Sequence, residues 1–177
     1  KLSTDQAMYH FISGYTAKVA GTERGITKPK ATFSPCFGGP FLTLHPLKYA
    51  ELLKAKIQEH KSKVYLVNTG WIGGSASSGA KRISIQNTRT MITGILDGSI
   101  EQSEFAKEPV FNLLYPTTLG EINSEILNPR SAWADTKEYD NYAAKLSELF
   151  IANFQTYGSA VSYLESAGPE NKVQILV

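Results

Sequence analysis

A short segment of this chain combines a β-prone run, a glycine-rich loop and paired cations, and this combination suits a phosphate or nucleotide. Residues 64–67 form the apolar run, and four glycines follow between residues 70 and 79. Glycine allows positive φ angles and a close approach of the backbone to a ligand. Lys81 and Arg82 stand at the exit of the loop, where their charges would face an anion.

The residues after this loop are expected to continue into a second strand and then a helix. The alternation in residues 83–85 predicts a short strand. Asn87 or Thr88 is suited to cap a following helix, because its side-chain oxygen can accept from free backbone N–H groups. The apolar residues of this helix are Met91, Ile92, Ile95 and Leu96. Its N-terminus would favour an anion near the loop.

The loop resembles a P-loop only superficially. That motif needs Gly-Lys-Ser/Thr running into a helix. Here Ala80 separates Gly79 from Lys81, and Arg82 replaces the hydroxyl residue, so a Walker A site is rejected. From these residues alone, a surface loop with solvated cations is favoured over a nucleotide site.

Other candidate chemistry is weaker. Tyr65 and Trp71 have side chains that can stack on nucleic-acid bases, but core packing is favoured and no nucleic-acid partner is expected. The histidines show no metal-ligand spacing with one another or with Cys36, so no metal site is expected. His10 is explained more simply by packing within a helix, and Cys36 as a small buried residue. No G-x-S-x-G nucleophile elbow occurs.

Composition is that of a globular protein. The 177 residues are 42% hydrophobic and 19% charged, enough for one domain with a substantial core. The longest apolar runs fall far short of the roughly 20 residues that a membrane-spanning helix needs, so no membrane association is expected. A single cysteine excludes an internal disulfide and suits a reducing compartment. The expected location is the cytoplasm, with an organelle as the alternative.

Charge is divided unequally along the chain. Residues 1–90 carry 13 Lys/Arg against 4 Asp/Glu, whereas residues 91–177 carry 5 against 12. The first part therefore favours an anionic ligand if its cations converge in space. Two solvated faces of opposite charge remain the simpler interpretation.

Periodicity and breakers predict the elements that must position the basic loop. They indicate helices over 4–20, 46–60 and 136–156, strands over 64–67 and 110–114, and a mostly irregular segment over 21–44. Ser3 and Gln6 have capping-box spacing. Alternation of strands with helices favours a single α/β unit.

Six motifs, in order along the chain, are shared with one enzyme family. They are YHFISGYTAKVAGTERG (9–25), ATFSPCFGGPF (31–41), HPLKYA (45–50), YLVNTGW (65–71), KRISIQNTR (81–89) and AGP (167–169). Together they resemble ATP-dependent phosphoenolpyruvate carboxykinase. The resemblance implies the carboxy-terminal part, residues 1–177 here, of a nucleotide-binding catalytic domain with a mixed α/β fold.

The resemblance also implies a reaction and its site residues. Oxaloacetate and ATP would be converted to phosphoenolpyruvate, ADP and carbon dioxide in gluconeogenesis, with Mg²⁺ and Mn²⁺ as metal ions. The family's contacts to adenosine correspond to Arg82, Ile83 and Thr88. Arg82 would stack on or hydrogen-bond the nucleoside, Ile83 would pack on adenine, and the Thr88 hydroxyl would read a base edge. Lys81 would give electrostatic support.

The same resemblance implies that much of the machinery lies upstream of Lys1. This includes the phosphate-binding loop, the metal ligands and the groups that bind oxaloacetate. The expected partner is therefore the amino-terminal part of the same enzyme, and this chain alone is expected to be inactive, with no catalytic or metal-binding residue of its own. The alternative is a non-catalytic nucleotide-binding or interaction module derived from that fold.

Overall fold

The computed structural model describes residues 1–18, 30–74 and 78–170, which form a mixed α/β protein, as expected. The α-helices in these ranges are α1 (Thr4–Ser13), α2 (Pro46–His60), α3 (Ile85–Leu96), α4 (Ser124–Leu127) and α5 (Thr136–Gln155). Short 3₁₀ helices occupy Pro35–Phe37, Gly39–Phe41, Ser99–Gln102 and Ser159–Ala167. The helices predicted over 46–60 and 136–156 are confirmed as α2 and α5.

Strands pair two by two in small antiparallel sheets. The pairs are β1 (Tyr15–Lys18) with β2 (Lys30–Phe33), β3 (Trp71–Ile72) with β4 (Lys81–Arg82), and β5 (Phe105–Lys107) with β6 (Leu114–Pro116). Within the described residues, no helix is both long and apolar enough to cross a membrane.

The described chain divides into two compact units. Unit 1 comprises Lys1 with residues 65–109 and 113–144. Unit 2 comprises the described parts of 2–64, 110–112 and 145–170. The basic loop and helix α3 belong to unit 1.

An aromatic core holds unit 2 together. Tyr9 of α1 stacks on Phe154 of α5 with ring centroids 4.1 Å apart, and Phe150 meets the edge of Phe111 at 5.5 Å. Such offset and edge contacts add to the free energy gained from burial. The buried members of this core are Met8, Tyr9, Ile12, Ala50, Phe150, Phe154, Val161 and Leu164.

Helix α1 is shorter than predicted. Its capping box is confirmed, because Ser3 accepts from the Gln6 N–H while the Gln6 side chain accepts from the Ser3 N–H. The helix nevertheless ends at Ser13 rather than residue 20. Gly14 is left-handed at φ +56°, and a Cβ atom there would lie 1.7 Å from the Ser34 carbonyl oxygen. The chain therefore turns at Gly14 and continues as β1, and the predicted stop at Gly21 lies outside the described residues.

The segment predicted as irregular contains a strand. Residues 30–33 form β2, which pairs with β1 so that Tyr15 lies opposite Phe33. The rest of the described part of 21–44 is irregular backbone and 3₁₀ helix, as predicted. Beyond it, Pro46 opens α2 at the first helical position, as predicted.

Unit 1 has a smaller core. Its buried members are Ile100, Leu119, Ile122 and Leu127, and half-buried side chains such as Tyr65, Met91 and Ile95 pack against them. The cluster joins α3 to α4 and the loops around them.

Both predicted strands outside the basic loop were wrong in position. In 64–67 the only described pairing is an isolated bridge from Val64 to Leu2, so among the described residues this segment forms no sheet. In 110–114 the left-handed Asn112, at φ +58°, interrupts the apolar run with a turn. The strand there begins only at Leu114, where β6 pairs with β5.

Candidate nucleotide-binding site

A two-stranded hairpin carries the paired cations of unit 1. Trp71 pairs with Arg82 and Ile72 with Lys81, and the Ile83 N–H donates to the Gly70 carbonyl oxygen at 2.9 Å. The hairpin therefore has a fixed register through its base, although residues 75–77 of its loop lie outside the described part.

Gly73 starts the loop in a position that only glycine fits. Its φ is +74°, and a Cβ atom would lie 2.6 Å from the Ala132 carbonyl oxygen. The segment containing Ala132 is itself held by Arg130, whose guanidinium donates to both carboxylate oxygens of Asp140 at 2.8 and 2.9 Å. These hydrogen bonds lower the pKa of Asp140. The loop therefore leaves β3 against a fixed backbone.

Arg82 is exposed and lies over the ring of Trp71. Its guanidinium carbon is 5.5 Å from the ring centroid, which is within the range of a cation–π contact. The contact follows from the hairpin register, since cross-strand partners bring their side chains together. It restrains a flexible cation while leaving it accessible to solvent and ligand.

The turn into α3 differs from the prediction. Ser84 caps the helix, because its side-chain oxygen accepts from the Asn87 N–H at 3.0 Å. Neither Asn87 nor Thr88 is the cap, since both lie inside the first turn. The strand predicted over 83–85 is also wrong: β4 ends at Arg82, and Ile85 already begins the helix.

The two isoleucines that flank the cap have opposite surroundings. Ile83 is buried, with 9% of its surface exposed, whereas Ile85 is 73% exposed. A strand would place both side chains on the same face. The helix cap between them turns the second one outward.

Thr88 lies half-buried in the first turn of α3, and its N–H donates to the Ser84 carbonyl oxygen at 3.0 Å. Arg82, Ile83 and Thr88 thus belong to one continuous segment, in which strand β4 runs directly into a capped helix. The positive end of the helix dipole lies beside the exposed cations in sequence. The charge of this segment suits an anionic ligand.

Two contributors were missed by sequence reasoning. The cap signal at Ser84 was available, because serine directly before the first helical residue is a preferred cap, but the alternation of residues 83–85 was interpreted as a strand. The role of Trp71 as a platform for Arg82 had no local signal, since it depends on the pairing of the two strands.

Tyr65, considered above as a base-stacking residue, belongs to the core. It is half-buried against the cluster of unit 1, and its hydroxyl donates to Glu101. Burial is the main cause that raises the pKa of Tyr65 to about 12, and the hydrogen bond to Glu101 adds to it. The core-packing interpretation is confirmed for this residue.

The described residues contain no group of three or more His, Cys, Asp or Glu side chains arranged to hold a metal ion. His10 is buried in α1, as the packing interpretation requires, and burial lowers its pKa to about 4. Cys36 is half-buried rather than buried, and desolvation raises the pKa of its thiol.

Fold and site together define a mixed α/β protein with a hairpin-to-helix segment suited to a nucleotide. A family comparison agrees with this class: the family model of ATP-dependent phosphoenolpyruvate carboxykinase matches residues 1–125, which include the whole segment. The chain belongs to this family.

Curated relatives extend the likeness over nearly the whole chain. Phosphoenolpyruvate carboxykinase (ATP) of Sulfurimonas denitrificans is 57% identical over 173 residues, and that of Caldanaerobacter subterraneus subsp. tengcongensis 52% over 170. The enzyme of the same name from Candida glabrata is 48% identical over 172 residues. Each alignment covers 96% of this chain but 32% of the relative. The chain thus spans about a third of the length of these relatives.

Proposed function

We propose that this chain is the adenosine-binding portion of an ATP-dependent phosphoenolpyruvate carboxykinase, within the nucleotide-binding catalytic domain. The complete enzyme converts oxaloacetate and ATP to phosphoenolpyruvate, ADP and carbon dioxide. The observation that carries the proposal is the exposed Arg82 on its Trp71 platform, at the entrance to a capped helix. The family match, which runs through this segment, supports it.

Each proposed contact has a distinct physical role. Arg82 supplies a planar cation that stacks on adenine or donates to the nucleoside. Thr88 supplies a hydroxyl that can donate to or accept from a base edge. Ile83 is buried apart from 9% of its surface, so its contact with adenine is limited to the small exposed part of the side chain.

The rest of the reaction is assigned to the remainder of the polypeptide. Mg²⁺ and Mn²⁺, which would balance the charge of ATP and of the enolate, are expected to have their ligands there. The remaining amino-terminal part also supplies the groups that bind oxaloacetate, so this chain alone has no carboxykinase activity. We place the enzyme in the cytoplasm.

Substitution of Arg82 in the complete enzyme tests the assignment. Arg82→Gln removes the cation but keeps hydrogen-bonding groups, and Thr88→Val removes the hydroxyl at nearly constant shape. A lost cation–π contact or hydrogen bond is worth about 1 kcal/mol or more. We therefore expect each variant to raise the KM for ATP by roughly fivefold or more, with the KM for oxaloacetate unchanged.

Lys81→Gln is the matched control. Lys81 is also exposed, carries the same charge and lies next to Arg82 on β4, but neighbouring strand residues point to opposite sides. Its substitution should change the KM for ATP by less than either test variant does. An unchanged KM for ATP in both Arg82→Gln and Thr88→Val would contradict the site assignment. An equal rise in KM for Lys81→Gln would show that the positive charge of the loop, and not a specific contact of Arg82, binds ATP.

A further inference from the structure

Helix α3 has an apolar face that unit 1 buries only in part. On one side Met91 and Ile95 pack against the core of unit 1. Gly94 of the same helix is buried, and a Cβ atom added there would lie 2.8 Å from the Cδ1 atom of Leu119. The adjoining part of this face is exposed, at Ile85 (73% exposed), Ile92 (41%) and Leu96 (81%).

These three exposed residues form one stripe. Ile92 follows Ile85 by seven positions, and Leu96 follows Ile92 by four. The three side chains therefore lie nearly in line on a helix with 3.6 residues per turn. A surface helix usually has one apolar stripe facing its core, whereas a helix that is apolar all round is buried. Only the part of this apolar face at Met91 and Ile95 packs against the core of unit 1, so its exposed part has the composition of a surface that packs against a further partner.

A groove adjoins the stripe. It encloses about 630 Å³ and is lined on the helix side by Ile85, Arg89, Thr93 and Asp97, and opposite them by Leu119 and Gly120. Ile85 belongs to both the stripe and the groove. None of Arg82, Ile83 and Thr88 lines the groove, so the groove is distinct from the proposed adenosine contacts. Thr88, three positions after Ile85 and four before Ile92, borders the stripe on the helix surface.

We infer that the exposed stripe of α3 and the adjoining groove are a docking surface for a segment of the same polypeptide that lies outside this chain. The inference rests on the proposed function, and the length of the relatives carries it. Because the chain aligns with 32% of each relative, a family enzyme has further polypeptide that can cover a surface such as this one. An exposed apolar patch of this kind marks an interaction site.

The chemistry of the surface specifies the segment. Apolar side chains of the segment would cover the stripe, as in other interfaces with an apolar centre. Arg89 and Asp97 line the groove with opposite charges, so the segment should bring polar or charged groups to them.

Hydroxyl-radical footprinting tests the inference on the complete enzyme without any substitution in the protein. Leu96 is 81% exposed in this chain, so it should be oxidised readily if nothing covers it. We expect oxidation of Leu96 and Ile92 in the native monomer to fall to the level of the half-buried Ile95 of the same helix. Oxidation of Leu96 in the native enzyme at the rate found after denaturation would overturn the inference. Protection that appears only at concentrations where the enzyme dimerises would also overturn it, because a second copy would then be the occupant.

Substitutions give an independent test. Leu96→Lys places a charge on the stripe and should lower the Tm of the complete enzyme, whereas Gln102→Lys adds the same charge at an exposed position in the following 3₁₀ helix and should not. Equal Tm values for the two variants would contradict the inference. These two variants do not test the proposed function. That function is tested by the KM for ATP of the Arg82 and Thr88 variants, so either proposal can fail without the other.

Discussion

Units 1 and 2 differ in how completely each buries its own apolar side chains. The deepest residues of unit 2 retain 0–2% of their surface, and they are Met8, Tyr9, Ile12, Phe154, Val161 and Leu164. The buried cluster of unit 1 retains 4–8%, at Ile100, Leu119, Ile122 and Leu127. Unit 2 is thus built around a well-filled aromatic core, whereas unit 1 has a shallow one.

The two units also differ in the functional features that they carry. Unit 1 carries the proposed adenosine contacts and the exposed stripe of α3, whereas unit 2 carries neither. Segments that bind ligands and move are usually drawn from the less stable parts of a protein. The comparison predicts that substitutions in unit 2 mainly lower stability, and that those around α3 mainly alter binding.

The largest expected effect is that of Gly14→Ala in unit 2. The new Cβ atom would lie 1.7 Å from the Ser34 carbonyl oxygen at a φ of +56°, so the backbone must move. We expect a loss of more than about 4 kcal/mol in the free energy of unfolding, measured by urea denaturation of the complete enzyme.

Gly98→Ala in unit 1 is the matched control for this effect. Gly98 also has a positive φ, +80°, but nothing lies within 4 Å of the added atom. Only the conformational strain of about 1–2 kcal/mol is expected. Equal losses for the two variants would show that the contact with Ser34 does not determine the turn after α1.

Core truncations measure the contrast between the units directly. Phe154→Ala removes a ring that stacks on Tyr9 and is 2% exposed, and should cost about 3–5 kcal/mol. Leu119→Ala, at 6% exposed, should fall near 2–3 kcal/mol, the low end for such substitutions. A larger loss for Leu119→Ala in denaturant unfolding would reverse the proposed ranking of the two cores.

The histidine of the aromatic core should make unit 2 sensitive to acid. The His10 ring lies 5.6 Å from the rings of Tyr9 and Phe150, and its Nε2 atom has no hydrogen-bond partner among the described residues. Burial lowers the pKa of His10 from 6.5 to about 4. Between these values the unfolded chain binds a proton that the folded chain does not, so stability falls as the pH falls from 6.5 to 4.

The full effect amounts to about 3 kcal/mol, since one pKa unit corresponds to about 1.4 kcal/mol. His10→Phe keeps a ring in the core and removes the titrating group. In urea unfolding at pH 7 and pH 5, the variant should lose less stability than the wild type. An identical loss in the two proteins would show that protonation of His10 does not contribute.

The smallest expected effect on stability is that of the helix cap in unit 1. Ser84→Ala removes the acceptor for the Asn87 N–H and should cost about 1 kcal/mol. Because the cap orients the turn that holds Thr88, the KM for ATP should rise as well. Asn123→Ala removes the corresponding cap acceptor of α4 in the same unit and should leave the KM unchanged. If Ser84→Ala lowers stability but leaves the KM for ATP unchanged, the start of α3 does not contribute to nucleotide binding.

The elements that could be predicted from sequence depend on local interactions. The capping box of Ser3 and Gln6 and the proline at the start of α2 both act within the first turn of one helix. Some errors arose where distant residues decide the structure: Gly14 turns the chain against Ser34, and the run at 64–67 has no partner strand among the described residues. Others were misread local signals, namely the cap at Ser84 and the turn at Asn112.

The candidate site shows the same limit. The glycine loop and the paired cations could be found in the sequence, because composition and order alone identify them. The stacking of Arg82 on Trp71 could not, since it depends on the register of β3 and β4. The specific contacts of Arg82, Ile83 and Thr88 with adenosine came from the family motif and stay predictions, because residue type does not determine which ligand a loop binds.

Hydrogen exchange of the complete enzyme with and without ATP tests the central claim most directly. If unit 1 forms the adenosine-binding wall, ATP should slow exchange in peptides that cover residues 81–90, at the end of β4 and the first turn of α3. Peptides from the core of unit 2, such as residues 150–157, should be unaffected. Unchanged exchange over residues 81–90 at saturating ATP, with protection elsewhere, would contradict the proposed site.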